Sequence, residues 1–247
     1  MNQITAPQIA LVAITKHGLA RALALLSLLP EAHLVVTEKF APDLPPALHN
    51  PVKILSGALS GHMADLFSCY DQLVLFISLG AVVRLMAPHL KSKDEDPGVV
   101  VIDDAARYVI PVLSGHVGGA NAFALRLAEL LGAEAVLTTA SDVGKTLPVD
   151  ILGRELGWQV EAPKINITRV SAHVVNGESI AFVQEAGSRQ WWTRPTPLPS
   201  NIHLFEEFDQ VDLNSFKAVL WVTRREISAS IWEQLKERLV VYRPPLE

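Results

Sequence analysis

The chain has 247 residues, 49% hydrophobic and 19% charged, with a formal net charge of −5. That length suits one large or two small domains with a real core. The acidic balance, without any run of basic residues, argues against nucleic acid or an anionic membrane as partner. A single cysteine, Cys69, excludes an intrachain disulfide and a multi-thiolate metal site, and fits a reducing, cytoplasmic setting.

The N-terminal stretch has no basic segment ahead of its apolar part and reads as a first strand rather than a signal peptide. No apolar run is long enough for a transmembrane span. Ile9 to Ile14 is a continuous apolar run, the mark of a buried strand, and Thr15-Lys-His-Gly18 is its turn. A helix follows over Leu19 to Leu29, then short strands at Leu34 to Thr37 and Val52 to Leu55 around a proline-rich loop. Leu59 to Tyr70 reads as a helix and Leu73 to Ser78 as a buried strand whose loop opens a helix over Ala81 to Ala87. After a charged loop, Lys91 to Pro97, strands are predicted at Val99 to Ile102 and Tyr108 to Val112 around an Asp103-Asp104 turn. A helix over Phe123 to Leu131, a strand over Val136 to Thr139 and a helix over Leu147 to Leu156 complete this part.

Solidly apolar strands alternating with helices predict an α/β fold, a mostly parallel sheet with helices on both faces, over residues 1–160. Residues 161–247 read as a smaller α/β domain. It has a helix at Ile165 to Val175, strands at Ser179 to Gln184, Ala218 to Val222 and Leu239 to Tyr242, and a helix over Ser228 to Arg238 capped by Ser228. Between them Ala186 to Pro199 is irregular; Trp191-Trp192 within it suits a flap stacking on a flat ligand or a hydrophobic anchor between domains.

The segment Leu113-Ser-Gly-His-Val-Gly-Gly-Ala-Asn121 carries the most chemistry. Glycines at 115, 118 and 119 allow close approach of backbone to a ligand, and Ser114, His116 and Asn121 place three polar side chains at one strand-to-helix turn. Parallel sheets bind ligands beyond the carboxyl ends of their strands. Thr15 to Gly18, Ser78 to Arg84 and Thr138 to Asp142 are then expected to converge on the same edge. Arg84 is the natural cation for a ligand carboxylate, and Asp142 either caps a helix or stands beside the ligand. The plainer reading of the turn is a glycine-rich helix start with Ser114 bonding locally.

Two echoes are set aside. Gly144-Lys145-Thr146 matches the end of a phosphate-binding loop, but the glycine required five residues earlier is Thr139. Leu59-Ser-Gly-His62 repeats only the first four residues of the glycine-rich turn. The eight histidines show no metal-binding spacing, so no protein metal site is expected.

Taken in order, Gly80-Ala-Val-Val-Arg84, Ala87-Pro88, Lys93-Asp-Glu-Asp-Pro97, Val99-Val-Val-Ile-Asp103, Leu113 to Asn121 and Thr138-Thr-Ala-Ser-Asp142 resemble the signature of the cobalamin-biosynthesis family CbiG. The resemblance covers that family's N-terminal and middle regions. It implies a cobalt-precorrin-5A hydrolase, which opens a δ-lactone on a corrin precursor and releases acetaldehyde as the ring contracts. No cofactor is implied, because cobalt arrives inside the cobalt-corrinoid substrate. The partners implied are that substrate and a further C-terminal domain or other pathway enzymes. In this frame His116 is the expected base and the Gly118 and Gly119 N–H groups the oxyanion donors. Ser114 is expected to act with His116 and, with Asn121, to orient substrate or water. Gly80, Arg84, Gly115, Thr138, Thr139 and Asp142 are expected to hold the substrate. A non-catalytic tetrapyrrole-binding module that needs a separate partner is the alternative.

Overall fold

A computed structural model describes residues 8–246, which form two compact units divided between Leu137 and Thr138. Among the described residues no helix is long and apolar enough to cross a membrane.

The first unit contains β1 (Ile9–Ala13), α1 (Lys16–Leu26), β2 (His33–Thr37), β3 (Val52–Leu55), α2 (Met63–Cys69), β4 (Gln72–Leu75), α3 (Leu79–Met86), β5 (Gly98–Ile102), β6 (Tyr108–Leu113), α4 (Ala120–Leu131) and β7 (Glu134–Ala135). The sheet order is β3-β2-β1-β4-β5-β6-β7. β1 to β5 are mutually parallel. β1, β4 and β5 are buried at every position, which explains their uninterrupted apolar character. One face packs Leu19, Leu25 and Leu26 of α1 with Phe123 and Leu127 of α4. The other packs Met63 and Leu66 of α2 with Val82 and Met86 of α3. Thr15 caps α1, its Oγ1 accepting the Gly18 N–H at 2.9 Å. A side chain at Gly18 would meet the Phe76 carbonyl at 3.0 Å, so glycine lets α1 start against the end of β4.

β6 breaks the parallel pattern. It pairs antiparallel with β5, and β7 runs parallel to β6. The hairpin turn is built on Asp103, whose carboxylate accepts the N–H groups of Ala105, Arg107 and Tyr108 at 3.3, 2.7 and 2.6 Å. Partial burial alone would raise the Asp103 carboxyl, but these backbone donors and the Arg107 guanidinium outweigh it and hold the group below its ordinary value.

The second unit contains α5 (Ala140–Val143), β8 (Gln159–Glu161), α6 (Lys164–Val175), β9 (Ile180–Gln184), β10 (Ile202–Phe205), β11 (Ala218–Val222), α7 (Ala229–Gln234) and β12 (Leu239–Arg243). Its sheet order is β10-β9-β11-β12-β8, with four parallel strands and β8 antiparallel at the edge. Ser228 caps α7 as expected, accepting the Ile231 N–H.

Three features depart from the sequence reading. The division at 137/138 gives residues 138–160 to the second unit, because β8 pairs with β12 and Leu147, Val149, Leu152 and Trp158 enter its core. The helix expected over Leu147 to Leu156 is absent apart from a 3₁₀ turn at Arg154–Leu156. Gly153 there has a φ of 71°, and any side chain on it would strike the Trp158 ring at 2.2 Å. The strand expected over Val136 to Thr139 reduces to β7, two residues upstream of it. Tyr242 is fully buried, its hydroxyl donating to the Val149 carbonyl at 2.8 Å; burial, then the nearby Asp150 charge, pushes its pKa well up.

Candidate functional site

The glycine-rich turn follows β6. Because β6 is antiparallel to β5, the turn lies at the end of the sheet where β4 and β5 begin, not where they finish. Side chain and backbone confirm this placement. Gln72, the first residue of β4, donates Nε2 to the Gly118 carbonyl at 2.5 Å. A side chain on Gly118 would lie 3.2 Å from the N of Gly98, the first residue of β5. Gly80 and Arg84 stand at the opposite rim, in α3 after the carboxyl end of β4; the Arg84 Nη1 turns back onto the Gly80 carbonyl at 3.1 Å. The expected convergence of all these loops on one edge is therefore corrected. The four residues of β4 alone put about 13 Å between the rims.

The turn is a tight knot. Ser114 has a φ of 53°, a left-handed backbone that a side chain rarely adopts. A side chain on Gly118 would stand 2.4 Å from the Ser114 Cβ, and one on Gly115 would stand 2.6 Å from Asn121 Oδ1. A side chain on Gly98 would collide with Gln72 Oε1 at 2.3 Å. Asn121 is buried, its carboxamide packed against Gly115, so it holds the turn together from beneath. Three N–H groups near the start of α4 are consumed inside the knot. Gly119 donates to His116 O at 3.0 Å, Ala120 to Ser114 O at 3.2 Å and Asn121 to Gly115 O at 2.9 Å. The oxyanion role expected for Gly119 does not fit this geometry, since its N–H is already directed inward.

Two buried polar atoms in the knot have no hydrogen-bond partner among the described residues: Ser114 Oγ and Gln72 Oε1. His116 is half-buried. Beside the knot a cleft of about 400 Å³ is lined by Gln72, Val117 and Gly118 with Cys69, Asp71 and the Asp94 to Pro97 loop. Asp96, buried, accepts the Lys91 N–H with both oxygens at 3.0 and 3.1 Å, which folds this loop; Lys91 and Lys93 on it are exposed or nearly so. Tyr70, also lining the cleft, has its hydroxyl pKa raised, first by burial and then by Cys69. Gln72 was missed from sequence because it reads as the polar edge of an apolar strand; only its pairing across to Gly118 shows its part.

The other expected residues fall in the second unit. Thr139 precedes α5, and the Asp142 carboxylate pairs with Arg194 at 3.1 Å. α5 ends at Val143, so Gly144-Lys145-Thr146 does not open a helix, as a phosphate-binding loop would require. The Trp191 ring stacks on Phe182 with centroids 4.3 Å apart and its Nε1 donates to Gln184, while Trp192 donates to the Thr196 carbonyl. Both rings pack into the core of their own unit.

The comparisons with known proteins agree with the resemblance. The family description "Cobalamin synthesis G N-terminal" matches residues 61–142, and "Cobalamin biosynthesis central region" matches residues 147–244. The chain is 43% identical over 235 residues to a cobalt-precorrin-5A hydrolase of Priestia megaterium, covering 95% of this chain and 62% of that protein. It is 30% identical over 220 residues to one of Salmonella typhimurium, covering 87% of this chain and 55% of the relative. A solved structure, described as a putative cobalamin biosynthesis protein G homolog from Sulfolobus solfataricus, is 22% identical with a TM-score of 0.47, covering 96% of this chain and 60% of that one. The chain spans about three-fifths of the length of the curated relatives it matches. It belongs to the CbiG family of cobalamin-biosynthesis proteins and carries the family's N-terminal and central regions.

Proposed function

We propose that the chain works as a cobalt-precorrin-5A hydrolase, opening the δ-lactone of the cobalt-corrinoid and releasing acetaldehyde through a carbon–carbon cleavage. The observation that carries this reading is the 43% identity, over 95% of the chain, to a relative of that name. Water is the co-substrate, and cobalt enters within the substrate.

The chemistry is assigned to the rim that holds the glycine-rich knot. Lactone opening needs a proton taken from water and returned to the leaving ring oxygen, a task for an imidazole. His116 takes that role. Ser114, two residues before it in the same turn, is assigned to orient water or substrate. Lys91 and Lys93, exposed on the loop whose Asp94 to Pro97 segment lines the cleft, replace Arg84 as the cations offered to substrate carboxylates beside this rim.

The test is acetaldehyde release from cobalt-precorrin-5A by the wild-type chain and by His116→Gln. Release by the wild type and a loss of about 100-fold in the variant are expected. The coverage of the relatives motivates the second reading, a binding module that needs a partner domain. If the wild type releases acetaldehyde only when a CbiG C-terminal domain is supplied, that reading replaces the first.

A further inference from the structure

The parallel strands of the second unit leave their sheet in opposite directions. The segment after β9 packs Trp191, Trp192 and Leu198 on one face, and the segment after β11 packs Ile227, Ile231 and Trp232 on the other. β9 and β11 are neighbours, so their carboxyl ends form a topological switch point, the position at which an open α/β sheet is expected to offer a ligand crevice.

Two arginine forks stand at this position, each held by its neighbours. Glu185, directly after β9, accepts the Thr223 hydroxyl at 2.7 Å, the Phe208 N–H at 3.1 Å and Arg225 Nη2 at 2.5 Å. Arg225 stands over the Trp221 ring at 5.4 Å, yet its side chain remains 58% exposed. Arg243, at the end of β12, donates Nη1 to the carbonyls of Thr223 and Arg225 at 3.2 and 2.5 Å and Nε to Glu161. A guanidinium already fixed by its neighbours loses little further freedom when it binds an anion, and its planar fork matches a carboxylate.

We propose that this crevice binds a carboxylate group of a small-molecule ligand, with Arg225 and Arg243 supplying the donors and Glu185 holding Arg225 in position. The assignment is independent of the reaction the chain performs. The experiment is isothermal calorimetry of the full chain with tricarballylate, a plain polycarboxylate. Binding is expected in the wild type. Arg225→Gln and Arg243→Gln should each weaken it by about tenfold or more, and Arg225→Lys, which keeps the charge without the fork, should fall between. Arg126→Gln, which removes a surface ion pair to Glu31 in the first unit, should bind as the wild type does. If the glutamine variants do not fold, Arg225→Lys and Arg243→Lys carry the test, with weakened binding expected. Absence of binding by the wild type overturns the proposal, as do wild-type affinity in both crevice variants or equal affinity for inorganic phosphate.

Discussion

The two rims of the first sheet have been built for different ends. Where β1 and β4 finish, the chain is open: Lys16, His17 and Arg84 are exposed, and a side chain added at Gly80 would meet only the Arg84 Nη1, at 3.5 Å. Where β4 and β5 begin, three glycines, Gln72, Ser114 and Asn121 are pressed together, with two polar atoms left without partners. The open rim tolerates change at Gly80, though not at Gly18, and holds surface charge. The closed rim spends stability on a strained Ser114 backbone and unpaired buried atoms, a pattern that functional sites share. One reversed strand, β6, decides which residues stand on which rim.

The contrast is sharpest in turnover. If the chemistry lies where proposed, His116→Gln should lower acetaldehyde release by about 100-fold, whereas Arg84→Gln, on the opposite rim, should leave it within about twofold. Equal losses from both variants would mean that the substrate reaches both rims. In stability, Gly118→Ala should cost about 3 kcal/mol in urea unfolding, because its new Cβ meets Ser114 and backbone. Gly80→Ala should be neutral or stabilising by up to about 1 kcal/mol. Gln72→Leu removes the bond to Gly118 together with an unpaired acceptor, so a smaller cost of about 1 kcal/mol is expected in the same measurement. The smallest effect concerns the Asp103 turn that reverses the chain. Its carboxyl is lowered on folding, so its contribution is fully present above the ordinary carboxylate value and is lost as pH falls through the lowered one. Asp103→Asn should flatten the acid limb of stability against pH; an unchanged limb would show that the turn needs no charge.

Much of the fold was legible in the residues. Apolar runs marked the central strands, and Ser228 was identified as a cap. The direction of β6 was legible too. Only five residues separate Ile102 from Tyr108, too few for the crossover that a parallel pair needs. The rim follows from that direction, and strand-end reasoning alone overlooked it. Leu147 to Leu156 misled because Leu147, Val149 and Leu152 fill the second core from irregular chain, where their spacing imitates a helix. β8 and β10 lacked signal: each is three or four residues long, with mixed exposure. Within the candidate site, Ser114, His116 and the glycines could be picked out by type. Gln72 and the inward use of the Gly119 N–H depend on contacts between residues far apart in the chain.

All five tryptophans, 158, 191, 192, 221 and 232, lie beyond the division at Leu137. Intrinsic indole emission is consequently a private optical channel of the second unit, blind to the first. Unfolding followed by emission and by amide circular dichroism will coincide only if the halves melt together. A lag between the two signals would reveal the order in which they come apart.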